Sequence, residues 1–177
     1  MVFSQRLRTT DRLPQLTIAL TCHRYNVEHL TALVQAAEAK RSPLIIQLFP
    51  STLKQLPLLT YAAANAVKTA TVPLSLHIDH AQSEEHIREI IATLPVDSVM
   101  VDMSHYDEAE NLEKTERLTK ECHAKGIAVE AESGRINGGE DGIADTGDLE
   151  GTTFCCKTKP RHILISLTST FHIPRRC

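Results

Sequence analysis

The sequence predicts an α/β fold in which short strands alternate with helices around a parallel sheet, and two observations lead to this prediction. Short apolar runs recur roughly 25 to 30 residues apart, which is about the length of one βα unit. Several of the segments between these runs carry apolar residues at helical spacing. The chain has 177 residues, of which 42% are hydrophobic, so it contains enough apolar material for the core of one domain.

Five apolar runs are predicted as buried parallel strands, because each is short and mostly apolar. They are residues 16–20, 44–48, 74–79, 98–102 and 127–132. A sixth run, at 162–167, is a weaker candidate because no helical pattern follows it. The alternation of these runs with longer connecting segments is typical of repeated βα units.

Three connecting segments are predicted as helices. Two of them place apolar residues at positions i, i+3, i+4 and i+7, which form one stripe along a helix. These residues are Leu30, Leu33, Val34 and Ala37 in the first segment and Ile87, Ile90, Ile91 and Leu94 in the second. Ser83 is the expected cap of the second helix. The third segment, 107–125, is more polar and stops before Gly126, where a helix C-terminus is expected.

The character of the chain changes after Glu132. Four glycines, a serine and an asparagine lie within residues 133–142, which predicts a long loop because no regular element tolerates so many hinges. Beyond Gly151 the sequence becomes basic and shows no helical period. We therefore expect one α/β domain over residues 1–150 and a divergent, poorly ordered basic tail over 151–177.

Composition argues against several classes of protein. The formal net charge of -3 offers no basic stripe for nucleic acid, and no apolar run approaches the length of a membrane span. Arginines near the N-terminus faintly suggest an organellar leader, but Asp11 and Pro14 disfavour the long amphipathic helix of such leaders. No apolar signal segment follows, so the five cysteines are interpreted as reduced thiols and a cytoplasmic location is predicted.

Polar side chains stand where three successive predicted strands end. Asp79 and His80 end the third run, Asp102 ends the fourth, and Glu130 and Glu132 lie at the end of the fifth. The carboxyl ends of parallel strands form one open rim, which is where functional groups collect in such folds. An imidazole among carboxylates predicts a divalent metal site with a carboxylate base beside it.

Each of these residues also has a purely structural interpretation. His77 shares a strand face with Asp79, and a core histidine satisfied by a hydrogen bond is the favoured interpretation of His77. Asp102 is also a candidate cap for the helix that follows, and Glu132 is a candidate ion-pair partner of Arg135. For Asp79 and His80 together, at a strand end, the functional interpretation is favoured.

Four segments, in order and spacing, resemble the strand-end motifs of the class II fructose- and tagatose-bisphosphate aldolases. These segments are LHIDH at 76–80, VMVDMS at 99–104, VEAESG at 129–134 and GGEDG at 138–142. Weaker similarities at 36–38 and 42–47 extend the resemblance over roughly residues 15–150. A metal-dependent hydrolase is a competing interpretation of the histidine and aspartate pattern, but it does not account for the glycine-rich segment.

The resemblance implies a TIM-type (β/α)8 barrel, present here as an incomplete barrel of about five βα units. It implies a zinc-dependent aldolase that reversibly cleaves a ketose bisphosphate to dihydroxyacetone phosphate and an aldehyde. By the family pattern His80 is a zinc ligand, and Asp79 takes the proton from the hydroxyl on the carbon being released. Glu140 matches the residue that moves protons at the enediolate carbon. Asp102 and Glu132 match carboxylates at a second divalent metal position.

The sequence departs from the family in its second half. The family's two further zinc histidines have no match, because the later histidines of this chain, His162 and His172, lie in sequence contexts that differ from those of the family. The family's phosphate-binding segments have no match either. Phe49 and Pro50 stand where the family usually has a small polar residue near the substrate. The alternative is therefore a truncated, non-catalytic relative or an interaction partner of a full-length subunit. The expected partners are a phosphorylated sugar and, in a homo-oligomer or hetero-oligomer, another aldolase chain.

Overall fold

The computed structural model describes residues 17–19 and 26–132. The helices and strands in these ranges are β1 (Thr17–Ala19), α1 (Val27–Lys40), β2 (Leu44–Leu48), α2 (Pro50–Gln55), α3 (Pro57–Thr69), β3 (Leu74–Ala81), α4 (Glu84–Thr93), β4 (Ser98–Val101), α5 (Glu108–Ala124) and β5 (Ala128–Ala131). The predicted glycine-rich loop, the candidate strand at 162–167 and the tail at 151–177 lie outside the described residues.

The five strands form one parallel sheet in the sequential order β1-β2-β3-β4-β5. Helical segments separate each strand from the next, which is the alternation of TIM-type folds. The predicted α/β architecture with a parallel sheet is therefore confirmed. The incomplete barrel stays a prediction.

The predicted strands agree with the observed ones to within two residues, because the apolar residues of β2 to β5 pack into one core. All three predicted helices are present as α1, α4 and α5. Two helices, α2 and α3, lie in a segment for which no helix was predicted. Each begins with a proline at its first position, where the missing N–H costs no hydrogen bond. Of the helices in the described ranges, none has the length and apolar character needed to span a membrane.

The main core lies between the helices and one face of the sheet. Leu76 and Ile78 of β3 and Val99 and Val101 of β4 are fully buried on this face. Ile87 and Leu118, on the apolar stripes of α4 and α5, are fully buried in the same cluster. The alternate positions of β3 and β4 include Ser75, His77, Asp79 and Ser98, so the other face of the sheet carries the polar groups.

The helix ends follow the expected capping chemistry with one correction. Ser83 caps α4 by accepting from the backbone N–H of His86, as predicted. The cap of α5 is Asp107, which accepts from the backbone N–H of Glu110, so the capping interpretation of Asp102 is wrong. The loop between β4 and α5 places Asp107, and not Asp102, next to the first turn of the helix. Asp102 therefore stays at the end of the strand.

Candidate functional site

The carboxyl end of β3 contains a β-bulge that brings two neighbouring polar residues to one side. Between the pairs Ile78–Val99 and Ala81–Val101, β3 advances by three residues while β4 advances by two. His80 absorbs the extra residue with a φ of 48°, in the left-handed region that non-glycine residues rarely adopt. Its imidazole therefore turns toward Asp79 instead of pointing to the opposite face, as strict strand alternation would require.

His80 is held by a buried carboxylate on the next strand. Its Nδ1 lies 3.0 Å from Oδ2 of Asp102, and only 2% of the surface of Asp102 is exposed. The same oxygen accepts a hydrogen bond from Nε2 of Gln82 at 3.0 Å. The other oxygen, Oδ1, accepts from the backbone N–H of Ser104 at 3.1 Å and from its hydroxyl at 2.6 Å. Both carboxylate oxygens of Asp102 are thus occupied by protein donors.

These hydrogen bonds decide the charge of Asp102. Burial opposes ionisation, but the hydrogen bonds from His80, Ser104 and Gln82 outweigh it and lower the pKa of Asp102 well below its ordinary value. An ionised carboxylate has no proton to give, so His80 must donate from Nδ1. In the neutral imidazole this tautomer places the lone pair on Nε2, which is the form in which histidine binds metals.

Asp79 lies between two imidazoles. Its Oδ1 is 3.9 Å from Nε2 of His80 and 3.8 Å from Nε2 of His77, and its side chain is 12% exposed. The predicted base and the predicted metal ligand are therefore neighbours, as the adjacent sequence positions suggested. His77 is buried and its Nδ1 lies 2.8 Å from the hydroxyl of Ser98, which confirms the prediction of a hydrogen-bonded core histidine.

Of the two other predicted site residues, Glu132 and Glu140, the structure describes only Glu132. Glu132 follows β5 directly and is half-buried, and its backbone N–H donates to the carbonyl of Val101 at 3.4 Å. The side-chain amide of Asn111 on α5 donates to the carbonyl of Glu132, which ties the strand end to that helix. Glu140, and the Arg135 that was considered as an ion-pair partner of Glu132, lie outside the described residues.

An aromatic ring flanks His80 on the side of β2. Phe49, the cap residue of α2, stacks with His80 at 6.4 Å between ring centroids and an interplanar angle of 29°. The position that was singled out as a departure from the family pattern is thus directly beside the candidate ligand. An aromatic side chain there gives this part of the rim an apolar wall.

The donor set fits a zinc ion in part. An imidazole anchored through Nδ1 by a carboxylate, with a second carboxylate beside its Nε2, is the arrangement that presents histidine to a metal. Zinc sites in enzymes usually take three protein ligands. Within residues 17–19 and 26–132, no group of three or more histidine, cysteine, aspartate or glutamate side chains converges on one metal position. The described residues therefore supply only part of such a site.

Sequence reasoning missed the residues that hold Asp102 and His77. Ser104 lies two residues after Asp102, which is the spacing of an Asx turn and was a usable signal. Gln82 and Ser98 carried no such signal, because their contacts join different strands and depend on the sheet register.

A parallel sheet in sequential order, with imidazole and carboxylate groups at the carboxyl ends of its strands, fits a TIM-type α/β fold. The family model for class II fructose-bisphosphate aldolase matches residues 17–170. The chain belongs to this family.

Comparisons with individual proteins agree with this assignment. The chain is 47% identical over 162 residues to a Coccidioides immitis protein assigned as a fructose-bisphosphate aldolase, covering 82% of this chain and 53% of the relative. It is 39% identical over 129 residues to the fructose-bisphosphate aldolase of Streptococcus pyogenes, covering 70% of this chain and 43% of the relative. The crystal structure of a Coccidioides immitis protein with the same assignment matches with a TM-score of 0.68 at 51% identity, covering 73% of this chain and 46% of that one. The chain thus spans about half the length of the curated relatives it matches.

Proposed function

We propose that the chain provides the zinc-dependent ketose-bisphosphate aldolase site of its family, for reversible cleavage to dihydroxyacetone phosphate and an aldehyde. The observation that carries the proposal is the short series of contacts from Asp102 through His80 to Asp79. It joins an oriented imidazole to a largely buried carboxylate at the strand ends. That pairing supplies one metal ligand and one base, which are the two kinds of group that aldol cleavage needs first.

In this proposal His80 would hold zinc through Nε2, and Asp102 would fix the tautomer and ring orientation. When bound, zinc supplies Lewis-acid stabilisation of the negative charge that develops on the ketone oxygen. By the family pattern, Asp102 and Glu132 would bind or buffer a second divalent metal near this position. Zinc sites in enzymes usually take three protein ligands, so His80 would be one ligand of several.

Asp79 is proposed as the base that takes the hydroxyl proton when the carbon–carbon bond breaks. Its side chain is largely buried beside His80, so a substrate bound at that imidazole would place its hydroxyl within reach of the carboxylate. Glu140, on the glycine-rich segment, is proposed to move protons on and off the enediolate carbon. The substrate is proposed to be a phosphorylated sugar, and the location cytoplasmic.

The competing proposal is a non-catalytic relative that associates with a full-length aldolase subunit. It is the second interpretation of the same strand-end motifs, and the experiment below separates it from the catalytic one. The catalytic proposal in turn calls for a homo-oligomer or a hetero-oligomer in which another chain completes the site. Sedimentation of the purified chain, alone and with a full-length family member, measures both kinds of association.

The deciding experiment is cleavage of fructose 1,6-bisphosphate by the purified chain with added zinc, repeated with a chelator and with the Asp79→Asn variant. Chelator-sensitive cleavage that is lost in Asp79→Asn, while zinc binding is retained, is the expected result. Soluble, folded protein that does not cleave the substrate alone, and that adds nothing to the activity of a full-length subunit when the two are mixed, would reject the catalytic proposal and favour the non-catalytic one.

A further inference from the structure

His77 is a buried residue beside the proposed base to which the reaction proposed above gives no role. Only 4% of the surface of His77 is exposed, and its Nδ1 lies 2.8 Å from the hydroxyl of Ser98. The other ring nitrogen, Nε2, is buried and has no hydrogen-bond partner among the described residues. Buried ring nitrogens are nearly always hydrogen-bonded in proteins, so this one calls for a physical explanation.

The surroundings of Nε2 show which tautomer His77 adopts. Two carboxylate oxygens face it, Oε2 of Glu130 at 3.5 Å and Oδ1 of Asp79 at 3.8 Å. A bare lone pair directed at two carboxylates would be repelled by both, whereas an N–H would be attracted. Nε2 therefore carries the hydrogen, and in the neutral ring the hydroxyl of Ser98 donates to Nδ1.

The two carboxylates do not compete equally for this N–H. The side chain of Glu130 is 57% exposed, so water solvates its charge and weakens the attraction. The side chain of Asp79 is only 12% exposed, and Asp79 lies on the same strand and the same face as His77. Their separation of 3.8 Å is longer than a hydrogen bond, so the attraction between the two groups is electrostatic at this distance.

We propose that His77 is the positioning residue of Asp79: its Nε2–H draws Oδ1 of Asp79 inward, and Ser98 fixes the imidazole ring that does so. The inference deepens the proposed function, because Asp79 is the base of that reaction. Oδ1 lies almost equally far from His77 and His80, so the two imidazoles limit the carboxylate on two sides. The alignment of Asp79 with a substrate hydroxyl then depends on a residue that touches no substrate.

Two substitutions at position 77 separate this role from simple packing. The amide nitrogen of His77→Gln reaches the place of Nε2 and can still donate to Asp79. The amide of His77→Asn reaches only the place of Nδ1, near Ser98. Both variants keep a polar amide, but asparagine is one methylene shorter than glutamine, so the packing loss of each variant is measured separately by its Tm. His29→Gln, at an exposed position of α1, is the control.

The first measurement does not depend on activity. In the full chain labelled at aspartate, the side-chain carboxyl carbon resonance of Asp79 is assigned by its loss in Asp79→Asn. We expect this resonance to stay at its wild-type position in His77→Gln and to move in His77→Asn and Ser98→Ala. Equal displacement in both His77 variants, or none in either, would overturn the positioning role even if the chain proves inactive.

The second measurement is kinetic and uses fructose 1,6-bisphosphate with zinc. We expect His77→Asn to lower kcat by about tenfold or more with KM nearly unchanged, because a misplaced base affects the chemical step. His77→Gln should restore kcat to within about threefold of the wild type. Equal losses of kcat in both variants would contradict the proposal. An inactive wild-type chain with the expected carboxyl resonances would reject the proposed function while leaving the His77–Asp79 contact established.

Discussion

The Nδ1 atom of His80 and the Oδ2 atom of Asp102 lie 3.0 Å apart across the neighbouring strands β3 and β4. The pair is largely buried, with the two side chains 14% and 3% exposed. Because Asp102 also accepts from Gln82 and Ser104, its position is fixed before any metal arrives. The imidazole is therefore oriented by the fold itself.

The first prediction concerns this orientation. Asp102→Asn removes the charge that holds the Nδ1–H of His80, and comparable changes beside metal-binding histidines weaken metal affinity about 10- to 100-fold. We expect a loss of zinc affinity in this range, measured by competition with a chromogenic chelator. Glu113→Gln is the control, since the side chain of Glu113 is 77% exposed on α5. Unchanged zinc affinity in Asp102→Asn would show that His80 does not depend on this carboxylate.

The second prediction concerns the end of α1. Arg41 follows the helix with a φ of 49°, a conformation in which glycine avoids the steric clash of a side chain. Arg41→Gly should raise the free energy of unfolding by roughly 0.5 to 1 kcal/mol, measured by thermal or urea denaturation. Lys40→Gly, one residue earlier and still helical, should lower it by a similar amount. A destabilised Arg41→Gly variant would mean that the arginine side chain makes a compensating contact.

The third prediction concerns the ion-pair cluster between α4 and α5. Glu84 lies 2.7 Å from Nζ of Lys114, 2.7 Å from Nη2 of Arg117 and 3.1 Å from Nη2 of Arg88. Hydrogen bonds from Lys114 and then Arg117 lower the pKa of Glu84 from 4.5 to about 2. A lowered folded-state pKa contributes stability that is present above pH 4.5 and is lost as the pH falls toward 2.

Glu84→Gln should therefore be less stable than the wild type at pH 7, by roughly 1 kcal/mol because the partners are partly solvated. The difference in Tm should shrink when both proteins are compared at pH 3. Glu116→Gln, which alters an exposed pair with Lys120 on α5, should change Tm much less at either pH. A Tm difference that stays constant between pH 7 and pH 3 would show that the charge of Glu84 is not the source of the stability.

The fourth prediction concerns Cys122, whose side chain is fully buried on the inner stripe of α5. Burial raises the pKa of this thiol from 9.0 to about 11, which leaves about 100-fold less of the reactive thiolate at pH 8. We expect Cys122 to resist alkylation in the folded chain and to react after denaturation, as followed by peptide mass spectrometry. Rapid alkylation under native conditions would mean that α5 opens readily from the sheet.

Sequence reasoning predicted the repeating elements because burial against a sheet imposes a visible period. The stripe through Ile87, Ile90 and Ile91 and the apolar run of β3 are direct consequences of which side chains leave water. It did not predict α2 and α3, since their prolines suggest loops unless they are recognised at the first position of a helix. The local sequence pattern was thus sufficient to predict an element with one dominant apolar face. It was insufficient to predict a helix that begins at a proline.

The sequence predicted which residues form the candidate site, but it did not predict which of their side chains contact each other. Asp79, His80 and Asp102 were singled out because polar residues at strand ends are conspicuous after apolar runs. Which residue supports which depends on register: Ser98 meets His77 because they are paired across β3 and β4. Such register is set by the packing of the whole sheet and leaves no mark in the local sequence. The roles assigned to these residues stay predictions.

The extra residue in β3 has a consequence for how this domain tolerates change. Pairing resumes at Ala81 and Val101, so loss of one residue near position 80 would leave the pairing on either side of the bulge in place. Such an event would return the strand to simple alternation and send either the carboxylate or the imidazole to the helix side. The pairing of the sheet and the placement of these two side chains therefore depend on different features, because one residue of β3 changes the second without changing the first.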